Sequence, residues 1–207
     1  MPTTSDCYSA GERAAMSWWQ ELRARWLAPV LTLLADTGIR PDDLTLVGLI
    51  SGLAFCPLWL WSGQPIWAKI AAMTALAMHL ILDGLDGPLA RHLKIDSRRG
   101  SFTDTLADQI VVTATTLALM SAPGTPLNIW IGGTYIFVYA LVVTFAMVRN
   151  SLGVPYSWLI RPRIWVFGWI AADALLVPGW FDVIVGAVTA VLALKMLTGF
   201  VAIRRAL

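Results

Sequence analysis

Six stretches of this chain are apolar enough and long enough to cross a lipid bilayer, and nothing else in the sequence limits the fold as strongly. A helix needs about 20 mostly apolar residues to span the hydrocarbon core. Candidate spans run from Asp42 to Trp61, Ile66 to about Leu93, about Gly100 to Met120, Leu127 to about Val148, Ile164 to about Val177, and Phe181 to about Ile203. Turn-forming residues punctuate them: Ser62-Gly63-Gln64-Pro65, Ala122-Pro123-Gly124-Thr125-Pro126 and Pro178-Gly179. Hydrophobic residues make up 57% of the 207 residues and charged ones 14%, against about 45–50% and about 25% in an ordinary soluble domain. These proportions exclude a disordered chain, a coiled coil and a disulfide-rich mini-protein, and they argue against a soluble enzyme. A net charge of +2 provides no bulk basic field for nucleic acid. The expected architecture is an all-α, six-transmembrane-helix bundle over 41–207, preceded by a cytoplasmic segment over 1–40.

The positions of the basic residues set an expected orientation. Arg13, Arg23, Arg25 and Arg40 precede the first span. Arg91, Lys94, Arg98 and Arg99 lie between spans two and three, Arg149, Arg161 and Arg163 between four and five, and Arg204 and Arg205 at the end. The positive-inside rule makes that side cytoplasmic and puts both termini there, in an inner or plasma membrane. Trp59, Trp61, Trp67, Trp130 and Trp180 cluster at the opposite edge, the pattern of an interfacial aromatic belt. In the N-terminal segment, Met16, Trp19, Leu22 and Trp26 recur at helical spacing after a capping box at Ser9 to Glu12. This pattern predicts an amphipathic helix lying on the membrane surface, with Gly38 as its stop and Pro41 as the first residue of span one. Cys7 and Cys56 fall in unlike surroundings and are expected to be reduced and unpaired.

Four acidic residues fall where charge is expensive. Asp83 and Asp86 lie near the cytoplasmic end of span two, Asp104 and Asp108 in the first turns of span three. Asp83 is 17 residues into its span, about 25 Å along the helix, at the level of lipid headgroups. The i,i+3 and i,i+4 spacings put each pair on one helix face. If spans two and three pack antiparallel, the faces meet and four carboxylates gather with no run of Lys or Arg on those faces. Hard divalent cations, Mg²⁺ or Mn²⁺, are the natural compensation, and two would balance four negative charges. A two-ion site suits displacement at phosphorus. Gly87, Ala90 and Gly100 leave room for a ligand near the backbone.

The run Asp83-x₂-Asp86-Gly87-x₂-Ala90-Arg91-x₈-Gly100-x₃-Asp104-x₃-Asp108 resembles the signature of the CDP-alcohol phosphatidyltransferase family. Pro41-x₂-Leu44-Thr45 is similar to the family's Pro-Asn-x-Leu-Thr, with Asp42 in place of the usual Asn. The resemblance implies an enzyme that transfers a phosphatidyl-type group from a CDP-linked lipid to an alcohol and releases CMP, working as a homodimer. It implies that Asp83, Asp86, Asp104 and Asp108 hold two divalent ions and that Asp108 also takes the proton of the acceptor hydroxyl. Asp83, Gly87, Ala90, Arg91, Gly100 and Thr45 would border the CDP-lipid. Arg149 and Arg161-Pro162-Arg163 resemble the basic arrangement of family members that use phosphorylated inositol, which implies an acceptor such as an inositol phosphate or glycerol 3-phosphate. Two alternatives stand beside this one. The same chemistry could serve a neutral alcohol, with the arginines only setting topology, or the carboxylates could form the permeation site of a divalent-cation transporter.

Overall fold

A computed structural model describes residues 22, 25–61, 65–122, 127–154 and 162–207. The predicted stripe at Met16 and Trp19, the thiol of Cys7 and the side chain of Arg161 lie outside the described residues. Among the described residues every regular element is a helix: α1 over 25–36, α2 (Pro41–Trp61), α3 (Ile66–His92), α4 (Arg98–Ser121), α5 (Ile129–Ser151), α6 (Pro162–Leu175) and α7 (Phe181–Ala206). Each expected span coincides with one of α2 to α7 to within a few residues.

Four of these helices, α2, α3, α5 and α7, are long and apolar enough to cross a membrane. The other two fall short for different reasons. Helix α4 has 24 residues, but its first half is polar and charged. Helix α6 has 14, about 21 Å of helix, less than the roughly 30 Å of a hydrocarbon core.

Helix α2 packs along both α3 and α4, whereas α3 and α4 have little backbone contact with each other. The two helices share their packing on α2, and their backbones stand apart across a gap that side chains occupy. Glycines on α2 make the close approach possible. A Cβ on Gly52 would lie 2.7 Å from both methyls of Val111 on α4, and one on Gly48 would lie 3.4 Å from the Leu82 Cβ on α3. Helix α5 packs on α4 and α7, and α6 on α7 and α3. The common core holds Phe55, Leu76, Val111, Leu119, Tyr135, Phe167, Ile170 and Val185. A second cluster sits at the α1 end, where Leu27, Leu31 and Leu34, at helical spacing, pack on Leu44, Leu85 and Leu89. Trp26, by contrast, is exposed.

Trp61, Trp67, Trp130 and Trp180 are exposed, as belt residues should be. Trp59 is not: its ring is buried and stacked on Phe55 with centroids 5.3 Å apart. It lies four residues after Phe55 on the packed face of α2, so helical register rather than depth decides its environment. Cys56 is a free thiol.

The ends of α1, α3 and α5 are alike. Helices α1, α3 and α5 close with paired hydrogen bonds of the Schellman type: Ile39 N–H to Leu34 O, Ile95 N–H to Ala90 O and Val154 N–H to Arg149 O span the wider ring. The motif requires a left-handed residue, and Gly38 (φ 75°) and Gly153 (φ 68°) supply it twice. At α3 the position is taken by Lys94 (φ 57°), where a Cβ crowds the following carbonyl. Gly38 and Pro41 occupy the stop and start positions that the sequence predicts, and Asp43 Oδ2 accepts from the Arg40 N–H at 2.9 Å to close the first turn of α2. Ser97 caps α4, its hydroxyl accepting from Gly100 N–H at 3.1 Å.

Lys94→Gly should therefore raise the stability of the solubilised chain by about 1 kcal/mol, and Lys94→Val should lower it. Thermal unfolding in detergent reads both; midpoints that do not separate would contradict the strain assigned to this turn.

Candidate metal centre

The gap between α3 and α4 is where the acidic residues meet. Asp83, Asp104 and Asp108 each offer one carboxylate oxygen, and these atoms lie within 4.8 Å of one another. Helix periodicity brings Asp104 and Asp108 to one face of α4, and the α2 scaffold holds that face opposite Asp83.

Asp86 is placed differently. It is buried, and both its oxygens already have donors. Oδ1 accepts from its neighbour's backbone, Gly87 N–H, at 2.6 Å, and Oδ2 accepts from the Thr45 hydroxyl on α2 at 2.8 Å. That hydroxyl also lies 3.2 Å from the Pro41 carbonyl. It has one proton to give, and the shorter contact to a charged acceptor is the stronger claim. Asp86 stands outside the group of three that share the gap.

The compensating charge comes from an element distant in sequence. Arg163, in the first turn of α6, is 7% exposed and enters the site on the same helix face as the buried Phe167 and Ile170. Its Nη2 lies 2.5 Å from Asp83 Oδ2, and its Nη1 contacts Asp108 Oδ1. No run of Lys or Arg shares the acidic faces of α3 and α4; the guanidinium arrives from α6. The guanidinium makes a hydrogen bond to Asp83 and an ion-pair contact to Asp108, but one cation is opposed by three gathered aspartates. Buried charge of one sign in excess requires further compensation. The three aspartates offer carboxylate oxygen alone, which fits a hard divalent cation.

The other predicted residues surround this centre. Gly87 lies under the Arg91 side chain, where an added Cβ would sit 3.5 Å from Nη1. Ala90 is half-buried one turn on, and Gly100 lies in the capped first turn of α4. Arg149 occupies the last turn of α5. Thr45, expected beside a CDP-lipid, bonds Asp86, and Arg163, expected at an acceptor, bonds Asp83 and contacts Asp108.

One residue of the centre was not legible from the motif. His79, one turn before Asp83, is 2% exposed, and its Nε2 faces Asp108 Oδ1 at 3.8 Å. An ionisable residue inside a span, four positions from a motif aspartate, is the signal that could have found it.

Comparison with known proteins agrees with this arrangement. The family model described as CDP-alcohol phosphatidyltransferase matches residues 38–201. A CDP-diacylglycerol–serine O-phosphatidyltransferase of Mycobacterium tuberculosis is 33% identical over 114 residues, 55% of this chain and 37% of that protein. A phosphatidylinositol phosphate synthase of Streptomyces avermitilis is 30% identical over 138 residues, 64% of this chain and 54% of that protein. The chain therefore matches about a third to a half of the length of these relatives. The crystal structure of the Mycobacterium tuberculosis phosphatidylinositol phosphate synthase, in complex with manganese and citrate, shares the fold with a TM-score of 0.68 at 18% identity, covering 84% of this chain and 87% of that one.

Removing the Thr45 hydroxyl leaves a buried carboxylate short of a donor. Thr45→Val should cost about 1.5–3 kcal/mol of stability, and Thr45→Ser much less. Chemical denaturation of the solubilised variants tests this, and equal midpoints would remove Thr45 as the anchor of Asp86.

Proposed function

Because the chain belongs to the CDP-alcohol phosphatidyltransferase family, we propose that it transfers a phosphatidyl or related group from a CDP-linked lipid to an alcohol, releasing CMP, in phospholipid synthesis. The observation that carries this reading is the convergence of Asp83, Asp104 and Asp108 on one gap. An integral membrane protein with a phosphorus-directed acidic site at the end of its helices matches a lipid donor whose chains stay in the bilayer while its charged head reaches the carboxylates.

The roles follow the residues. Asp83, Asp104 and Asp108 hold divalent cations, with Asp86 completing a two-ion set. Mg²⁺ or Mn²⁺ bound there supplies charge neutralisation at the pyrophosphate and Lewis-acid polarisation of the attacking and leaving oxygens. Asp108 takes the proton of the acceptor hydroxyl as its oxygen bonds to the lipid-bearing phosphorus, and the bond from that phosphorus to the oxygen of CMP breaks. Thr45 keeps Asp86 in one orientation. Gly87, Ala90, Arg91 and Gly100 border the CDP group beside Asp83. Arg149, Arg161 and Arg163 are assigned to the acceptor, which we read as a phosphorylated polyol such as an inositol phosphate or glycerol 3-phosphate. The supporting features are the fork geometry of guanidinium for phosphate and a relative that makes phosphatidylinositol phosphate.

The reading extends to topology: six spans over 41–207, both termini and the metal centre cytoplasmic, the N-terminal helix interfacial, and a second copy of the chain as partner. The arginine-rich side supports the orientation, and Leu27, Leu31 and Leu34 dock α1 on the bundle at that side.

Incubating the purified protein with labelled CDP-diacylglycerol and a panel of alcohols tests the proposal. CMP should appear with a phosphorylated polyol, vanish in chelator, and fall by about 10²–10⁴-fold in Asp108→Asn. CMP release with neutral alcohols alone would replace the acceptor assignment. Cation uptake into liposomes with no CMP from any acceptor would overturn the enzyme.

A further inference from the structure

The imidazole of His79 is built into the bundle in a way the aspartate motif does not account for. Its Nδ1 lies 3.1 Å from the Gly48 carbonyl on α2. A carbonyl only accepts, so that hydrogen bond requires the proton on Nδ1, and in the neutral ring Nε2 then carries a lone pair. The ring is held on its other sides as well. A Cβ on Gly52 would come within 3.2 Å of its Cγ, so α2 is closed against it, and Phe167 on α6 covers it edge-on with centroids 6.2 Å apart. The one direction left is toward α4. There Nε2 is buried, has no hydrogen-bond partner, and faces Asp108 Oδ1 at 3.8 Å.

A buried nitrogen lone pair aimed at a carboxylate oxygen is left uncompensated unless something positive lies between the two atoms. Arg163 reaches the Asp108 oxygen from α6, but no hydrogen bond joins it to Nε2, so the nitrogen itself has no positive partner. Two donors on one divalent ion, with bonds of about 2.1 Å, can stand up to about 4.2 Å apart, so 3.8 Å suits a shared cation. A ring whose second nitrogen is bound to a backbone carbonyl is also the usual arrangement of a metal-ligating histidine.

We propose that His79 Nε2 is a nitrogen ligand of the cation bound at Asp108, and that the centre therefore favours a first-row transition ion such as Mn²⁺ over Mg²⁺. The inference rests on the metal-binding reading of the aspartates. Imidazole adds affinity for transition ions and little for Mg²⁺, which prefers oxygen and holds its water.

Pulsed electron paramagnetic resonance of the full chain loaded with Mn²⁺ tests this directly, after any histidine tag is cleaved. The sequence has only two histidines, and His92 is exposed at the end of α3. The wild type should show the nuclear modulation of a ligated imidazole ¹⁴N. Labelling with ¹⁵N-histidine should abolish that signal without altering the protein, and His79→Gln should abolish it too. In competition, His79→Gln should lower the preference for Mn²⁺ over Mg²⁺ by about tenfold. Bound Mn²⁺ with no imidazole modulation in the wild type would overturn His79 as a ligand and leave the aspartate site standing. Failure of the wild type to bind Mn²⁺ at all would overturn both.

Discussion

The structure depends on concentrated negative charge held where water is scarce. Asp83, Asp104 and Asp108 bring carboxylate oxygens together inside a helical bundle, and charges in that setting must be compensated or they drive the helices apart. Much of the local design serves this need. The guanidinium of Arg163 binds two of the carboxylates from α6. Asp86 is supplied with two hydrogen-bond donors of its own. The gap between α3 and α4 persists because both helices are packed on α2 instead of on each other.

The parts of this arrangement that are local in sequence could be read from it. Span limits follow from apolar runs and breakers, and α2 begins at Pro41 and α1 stops at Gly38 because each position answers a backbone constraint set by its neighbours. The pairing of Asp104 with Asp108 follows from helical periodicity. Lys94 shows the limit of such reading: the Schellman geometry at the end of α3 is the same as at Gly153, yet no glycine marks it.

What could not be read depends on tertiary packing. Arg163 lies 80 residues from Asp83, and only the docking of α6 on α3 brings them together. The same basic residue reads equally well as a topology signal, an acceptor ligand or a partner for carboxylates until its surroundings are known. Trp59 looks like an interfacial aromatic by depth, but its position on the α2 face buries it against Phe55. Asp86 and Thr45 are 41 residues apart, and their bond gives the Thr45 of the α2 start a structural task in addition to any contact with a donor.

The central claim is that these side chains form a cation site. The most direct measurement is an anomalous difference map from crystals of the protein soaked in Mn²⁺. The account predicts density in the α3–α4 gap within bonding distance of Asp83, Asp104 and Asp108. Density only elsewhere, with these carboxylates bound to Arg163 alone at saturating Mn²⁺, would contradict it.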